Sequence, residues 1–144
     1  MSLSESLKDE GKQAAVVAEA VKLVDEEVAA KSGLSGFAVK KGYDAVKSLK
    51  PGFITEVVKK LLPDFAGKLE PIWEEGKKGG APARFMQDNK SRVAEALLSV
   101  TDSKIDSAKS SVVRSTYSML RGSAKKHVED AVPRLSKLVE KYDA

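Results

Sequence analysis

Chemistry in this chain would have to begin from very few side chains. His127 is the only histidine and cysteine is absent, so thiolate zinc sites, cysteine nucleophiles and disulfides are excluded together. Glu129 and Asp130 follow His127 two and three residues on, whereas a helical metal pair needs i, i+4 spacing. Glu26-Glu27 and Glu74-Glu75 are adjacent acids, but neighbours on a helix point about 100° apart and cannot share a proton or a substrate. The serines have no partner base, since no Gly-x-Ser-x-Gly elbow occurs and a Ser-Lys dyad needs a buried lysine. Gly76-Lys77-Lys78-Gly79-Gly80 is rich in glycine, yet the Gly-Lys-Ser/Thr of a phosphate loop is missing. The inventory reads as non-enzymatic, with no catalytic residue, metal or cofactor.

The remaining candidate site is apolar. Phe53, Phe65, Ile72, Trp73 and Phe85 gather in sequence around Pro63, Pro71 and a glycine-rich stretch, where irregular helix packing is expected to leave space. Lys59, Lys60 and Lys68 flank them and could meet the carboxylate of a bound acyl chain. The competing reading makes the same aromatics plain core.

Charge supplies an alternative. The net charge is +4, but residues 1–30 hold seven acids against three lysines, and residues 31–60 hold seven lysines against two acids. If Lys40, Lys41, Lys47, Lys50, Lys59 and Lys60 form one face, nonspecific nucleic-acid binding through residues 40–60 follows. Sequence-specific DNA reading is disfavoured. The helix-turn-helix spacing of Ala38 and Gly42 is broken by Ser48 and Pro51, and the segment has no arginine for base contacts.

These residues need elements to position them, and the apolar spacing supplies helices. Ser2-x-x-Glu5 reads as a capping box before Leu7, Ala14, Val17, Val21, Val24 and Val28. Val16, Ala20 and Leu23 add a second stripe, the width of a bundle helix touching two neighbours. Gly33 marks the stop. Ser35 can cap a second helix facing inward through Leu34, Ala38, Gly42, Ala45 and Leu49. There Gly42, about 0.5–1 kcal/mol worse than alanine in a helix interior, implies a close crossing.

Pro51 suits the first position of a third helix carrying Phe53, Ile54, Val57, Val58, Leu61 and Leu62. Pro63 favours a restart that carries Phe65, Leu69, Ile72 and Trp73. Residues 76–82 read as a linker. Phe85, Met86, Val93, Leu97 and Val100 define the next helix. Thr101 or Ser103 caps another, with the stripe Ile105, Ala108, Val112, Thr116 and Met119. Arg121-Gly122-Ser123 then separates it from a last helix, broken or bent near Pro133. No alternating β-branched run competes, so no sheet is expected.

A hydrophobic share of 42% with 32% charged residues belongs to one soluble domain. Met-Ser-Leu-Ser-Glu lacks the basic start and apolar core of a secretory signal, which reads as cytoplasmic. From Lys50 to Glu74, Lys-Pro-Gly-Phe-Ile-Thr-Glu-Val-Val-Lys-Lys-Leu-Leu-Pro-Asp-Phe and the later Leu-Glu-Pro-Ile-Trp resemble a family of small bacterial all-helical proteins catalogued as a domain of unknown function. The resemblance implies an all-α fold and no particular activity.

The expectation is an all-α, single-domain bundle of six or seven helices over residues 1–144, with the linker at 76–82 between two halves on one core. It is a non-enzymatic protein that binds a partner protein or an apolar small ligand, and a homodimer remains open. Aspartate at Leu61 or Val112 is expected to unfold it by burying an unpaired charge.

Overall fold

The computed structural model describes residue 5 and residues 7–143. Among them lie six α-helices: α1 (Glu10–Ala30), α2 (Gly33–Lys47), α3 (Phe53–Lys78), α4 (Pro82–Asp88), α5 (Lys90–Lys104) and α6 (Ser111–Tyr142). A 3-10 turn spans Ile105–Ser107, and no strand occurs among the described residues. This is the all-α bundle that the apolar spacing predicts.

The frame is made by α3 and α6, which at 1.5 Å per residue are roughly 39 and 48 Å long. Helices α1, α4 and α5 each pack against both, and α2 lies on the first half of α6. Trp73, only 1% exposed, joins Ala66, Leu69 and Ile72 of α3 in a core with Met86, Val93, Val132 and Val139. No helix among the described residues is long and apolar enough to cross a membrane.

Helix starts differ from the sequence reading by a few residues. Ser2, the expected cap, lies outside the described residues. Asp9 caps α1 instead, accepting from the amides of Gly11 at 2.8 Å and Lys12 at 3.2 Å. Gly33 adopts φ +75°, the left-handed turn expected of it. The chain re-enters a helix at once, so Ser35 is interior to α2 rather than its cap. Pro51 stays in the turn, and α3 begins at Phe53.

The expected restart at Pro63 does not occur. Helix α3 runs unbroken through Pro63 and Pro71, and α6 runs unbroken through Gly122 and Pro133. All three prolines are on exposed faces. Lys59 and Gly67, four residues before the two in α3, are exposed as well, so water can reach the carbonyls that lose an amide partner. An interior proline costs about 3 kcal/mol. Burying one large apolar side chain returns about 1.5–3 kcal/mol, and α3 buries Leu69, Ile72 and Trp73 by staying helical throughout.

The connection between the two halves is shorter than expected. Gly76, Lys77 and Lys78 form the last turn of α3, leaving Gly79-Gly80-Ala81 before α4. Gly76 is buried because α4 folds back onto it. A Cβ there would lie 2.8 Å from Pro82 Cα and 2.9 Å from Phe85 Cβ.

Two expected inner faces also move. In α2, Leu34 is 91% exposed and Ala45 faces water, as does Leu49 in the turn beyond it, while Gly36 and Gly42 are buried. The close crossing inferred at Gly42 is present, against Thr116 and Leu120 of α6. The stripe from Ile105 to Met119 is not one helix. Ile105 belongs to the 3-10 turn and Ala108 to the extended backbone after it, and Ser110 caps α6 by accepting from the Val113 amide. Val112 is 38% and Met119 62% exposed, since α2 covers the neighbouring face.

Candidate functional site

A cavity of about 300 Å³ lies between α1, α3, α5 and α6. Helix α1 contributes Val16, Ala20, Leu23 and Val24. Helix α3 contributes Val58, Leu62, Phe65, Ala66 and Leu69, and α5 contributes Leu97, Leu98 and Thr101. Along α6 the wall runs from Val128 through Ala131, Leu135 and Leu138 to Tyr142, and Leu7 reaches it from before α1. None of these side chains is exposed, yet most are only half-buried. The two apolar stripes of α1 explain the opening. They hold α1 against α3 and α6 at once, and small Ala20 and Ala131 do not fill the space between them.

The wall holds two polar side chains, and both are engaged. Thr101 Oγ1 lies 3.1 Å from the Leu98 carbonyl, to which it donates, and 2.8 Å from the Tyr117 hydroxyl. Tyr117 donates to Asp102, which also receives Arg121 Nε at 2.9 Å and Nη2 at 3.0 Å. Burial, then the Asp102 carboxylate, pushes the Tyr117 hydroxyl up, while Arg121 and Tyr117 hold Asp102 below the ordinary carboxylate range. Near the other end, the Tyr142 hydroxyl donates to Glu19, and Lys141 reaches the same carboxylate at 2.8 Å. The bonds from Lys141 and then Tyr142 hold Glu19 below its ordinary range, and the bond to Glu19, with burial, raises Tyr142 against the opposing charge of Lys141.

The expected site residues are not gathered in one place. Phe65 lines the cavity, whereas Ile72 and Trp73 fill the core, and the Trp73 indole donates to Asp143 at 2.6 Å. Phe85 packs on Gly76, and Phe53 is half-buried at the start of α3. Lys59 lines a separate surface groove of about 700 Å³ with Glu10, Gln13 and Thr55. Lys60 and Lys68 are exposed. The leucines of the cavity read as core in the sequence, because spacing marks a buried stripe without saying how closely two stripes meet.

The lysines of residues 40–60 are interleaved with acid. Lys47 pairs with Asp25 at 3.7 Å and Lys50 with Glu56 at 2.8 Å, while Lys41 lies over the Phe37 ring. Phe37 is itself 58% exposed.

His127 has a distinct setting. Both ring nitrogens are buried without a hydrogen-bond partner, and its carbonyl accepts from Lys31 at 3.3 Å. Lys31 in turn pairs with Glu27 and Asp130. Burial, then the Lys31 charge, holds the imidazole below its ordinary value. Among the described residues no three histidines or carboxylates come together as a metal site.

No curated protein and no solved structure matches the chain. A family model does, over residues 3–143. With nearly its whole length matched, the chain belongs to a family of unknown function, DUF6918.

Proposed function

We propose that the protein is a non-enzymatic binding protein that holds a small apolar molecule between its helices. The observation that carries this reading is the cavity of about 300 Å³ whose wall is apolar except at Thr101 and Tyr142. That volume is at the lower end of the range for ligand pockets, roughly 300–1,000 Å³. A self-contained core would close over such a wall, because each Å² of apolar surface left accessible forgoes about 25 cal/mol. A ligand recovers that energy. With both hydroxyls already bonded, the wall offers a place to bind and no group to act on what is bound.

Xenon is the direct probe, because it enters apolar cavities whatever their shape. Methyl NMR under xenon pressure is expected to shift Leu62, Leu98 and Leu135 while leaving the exposed Leu34 unmoved. Ala131→Phe, which fills the space from α6, should abolish those shifts in a folded protein, with Ala20→Leu as a second filling variant. Unmoved cavity methyls in the wild type would overturn the reading.

A further inference from the structure

On the side of the bundle away from the cavity, α2 and the first half of α6 lie side by side and antiparallel. Lys31, just before α2, donates to the His127 carbonyl, while Gly42, farther along, meets the earlier residues Thr116 and Leu120. Tyr43 turns one flank of α2 to Asp25 of α1, and Tyr117 and Arg121 turn one flank of α6 to Asp102 of α5. Both α1 and α5 line the cavity, so those flanks face the bundle. At about 100° per residue, Leu34, Phe37 and Lys41 point about 120–180° away from Tyr43, and Val112, Met119 and Lys126 about 140–180° away from Tyr117. The two outward flanks therefore make one surface. All six side chains on it are exposed, Leu34 almost completely. Apolar side chains gathered in water this way mark a site of interaction.

Charge points to what covers it. Residues 33–50 and 111–126 carry eight basic side chains and one acid, Asp44. Lys47, Lys50, Arg121 and Lys125 pair with acids elsewhere in the chain. Lys40, Lys41, Arg114 and Lys126 have no acidic partner among the described residues, and they outnumber Asp44, which lies at the outer edge beside Lys40 and Lys41. Asp130, beyond Lys126, is held by Lys31. We propose that this surface docks on an anionic lipid bilayer, with Leu34, Phe37 and Met119 entering the headgroup boundary and Lys41 and Lys126 meeting the lipid charge. A second copy fits worse. An isologous contact would set these lysines against one another, and a stable protein interface buries about 800 Å² on each side, more than a few apolar side chains on two flanks supply. The close crossing at Gly42 also narrows the furrow in which a partner's helix would lie. A bilayer needs neither a groove nor a matching shape.

The test is sedimentation of the full chain with vesicles of phosphatidylcholine alone and of three parts phosphatidylcholine to one part phosphatidylglycerol, over a series of salt concentrations. Binding is expected to the mixed vesicles only and should fall as salt rises, because the charges are exposed. A lysine near an anionic surface is worth about fivefold in affinity, so Lys41→Gln with Lys126→Gln should weaken binding about 25-fold. Lys68→Gln with Lys137→Gln removes the same charge from other faces and should weaken it by less than about threefold. Leu34→Ser with Phe37→Ser should cost about tenfold or more, with helix content unchanged because both side chains already meet water. No binding to the mixed vesicles at low salt, equal binding to both kinds of vesicle, equal losses from the two lysine pairs, or undiminished affinity of the serine pair would overturn the proposal. So would a dimer in light scattering that the serine pair dissociates, which would assign the surface to a second copy.

Discussion

Gly42 of α2 meets Thr116 of α6 so closely that a Cβ on the glycine would lie 2.8 Å from Thr116 Cγ2 and 3.1 Å from Leu120 Cδ1. This contact is where α2 comes closest to α6, while its large apolar residues Leu34 and Phe37 point to water and contribute little burial. Gly42→Ala gains about 0.5–1 kcal/mol of helix propensity, but overpacking costs about 1–3 kcal/mol. The expected result is a net loss of about 1 kcal/mol, read from the urea midpoint. Thr116→Ser removes the opposing methyl, so the double variant should recover part of that loss. A midpoint raised by Gly42→Ala alone would show that the helices cross farther apart.

Acid should weaken the fold through His127. Its folded-state pKa is lowered from the ordinary 6.5 by burial and by Lys31, with Lys126 adding to the effect and Asp130 opposing it. Between the two values the unfolded chain binds the extra proton, so stability is complete above about pH 6.5 and falls as the pH drops towards the folded-state value. Urea midpoints measured from pH 7.5 downward should decline from about 6.5 in the wild type and stay flatter in His127→Leu. An identical decline in both proteins would assign the acid limb to carboxylates instead.

Trp73 is the sole tryptophan and is almost fully enclosed, so native fluorescence should be blue-shifted and poorly quenched by iodide. Trp73→Phe keeps a ring in the core but removes the indole donor from the largely buried Asp143 carboxylate, whose Oδ2 then keeps only Lys77 Nζ at 2.8 Å. Losing a partner for a buried polar group costs about 1–3 kcal/mol, and the thermal midpoint should drop accordingly. A midpoint unchanged by this substitution would mean that the indole bond contributes nothing net.

Aspartate substitutions separate real core from apparent stripe. Val93 and Val132 have no exposed surface, and an unpaired charge at either should unfold the domain. Val112→Asp, despite its place in the apolar pattern, should shift stability by no more than about 0.5 kcal/mol because the residue borders water. Circular dichroism at 222 nm distinguishes the cases. A folded Val132→Asp variant would contradict the assigned core.

Helix content followed from the sequence because spacing of 3.6 residues is a local property, readable in Val16, Val17, Leu69 and Val93 without knowing their neighbours. The close crossing at Gly42 was legible for a related reason, since glycine inside a helix is costly unless something needs the room. Helix ends and breaks were less so. Pro63, Pro71, Gly122 and Pro133 disfavour a helix locally, but the burial shared by the turns on either side outweighs each of them. Only tertiary structure could set that balance. It alone also decided that Trp73 is sealed in the core while Phe65 faces a void, because the gap left where α1 spans α3 and α6 depends on the distance between helices, and no single helix encodes that distance.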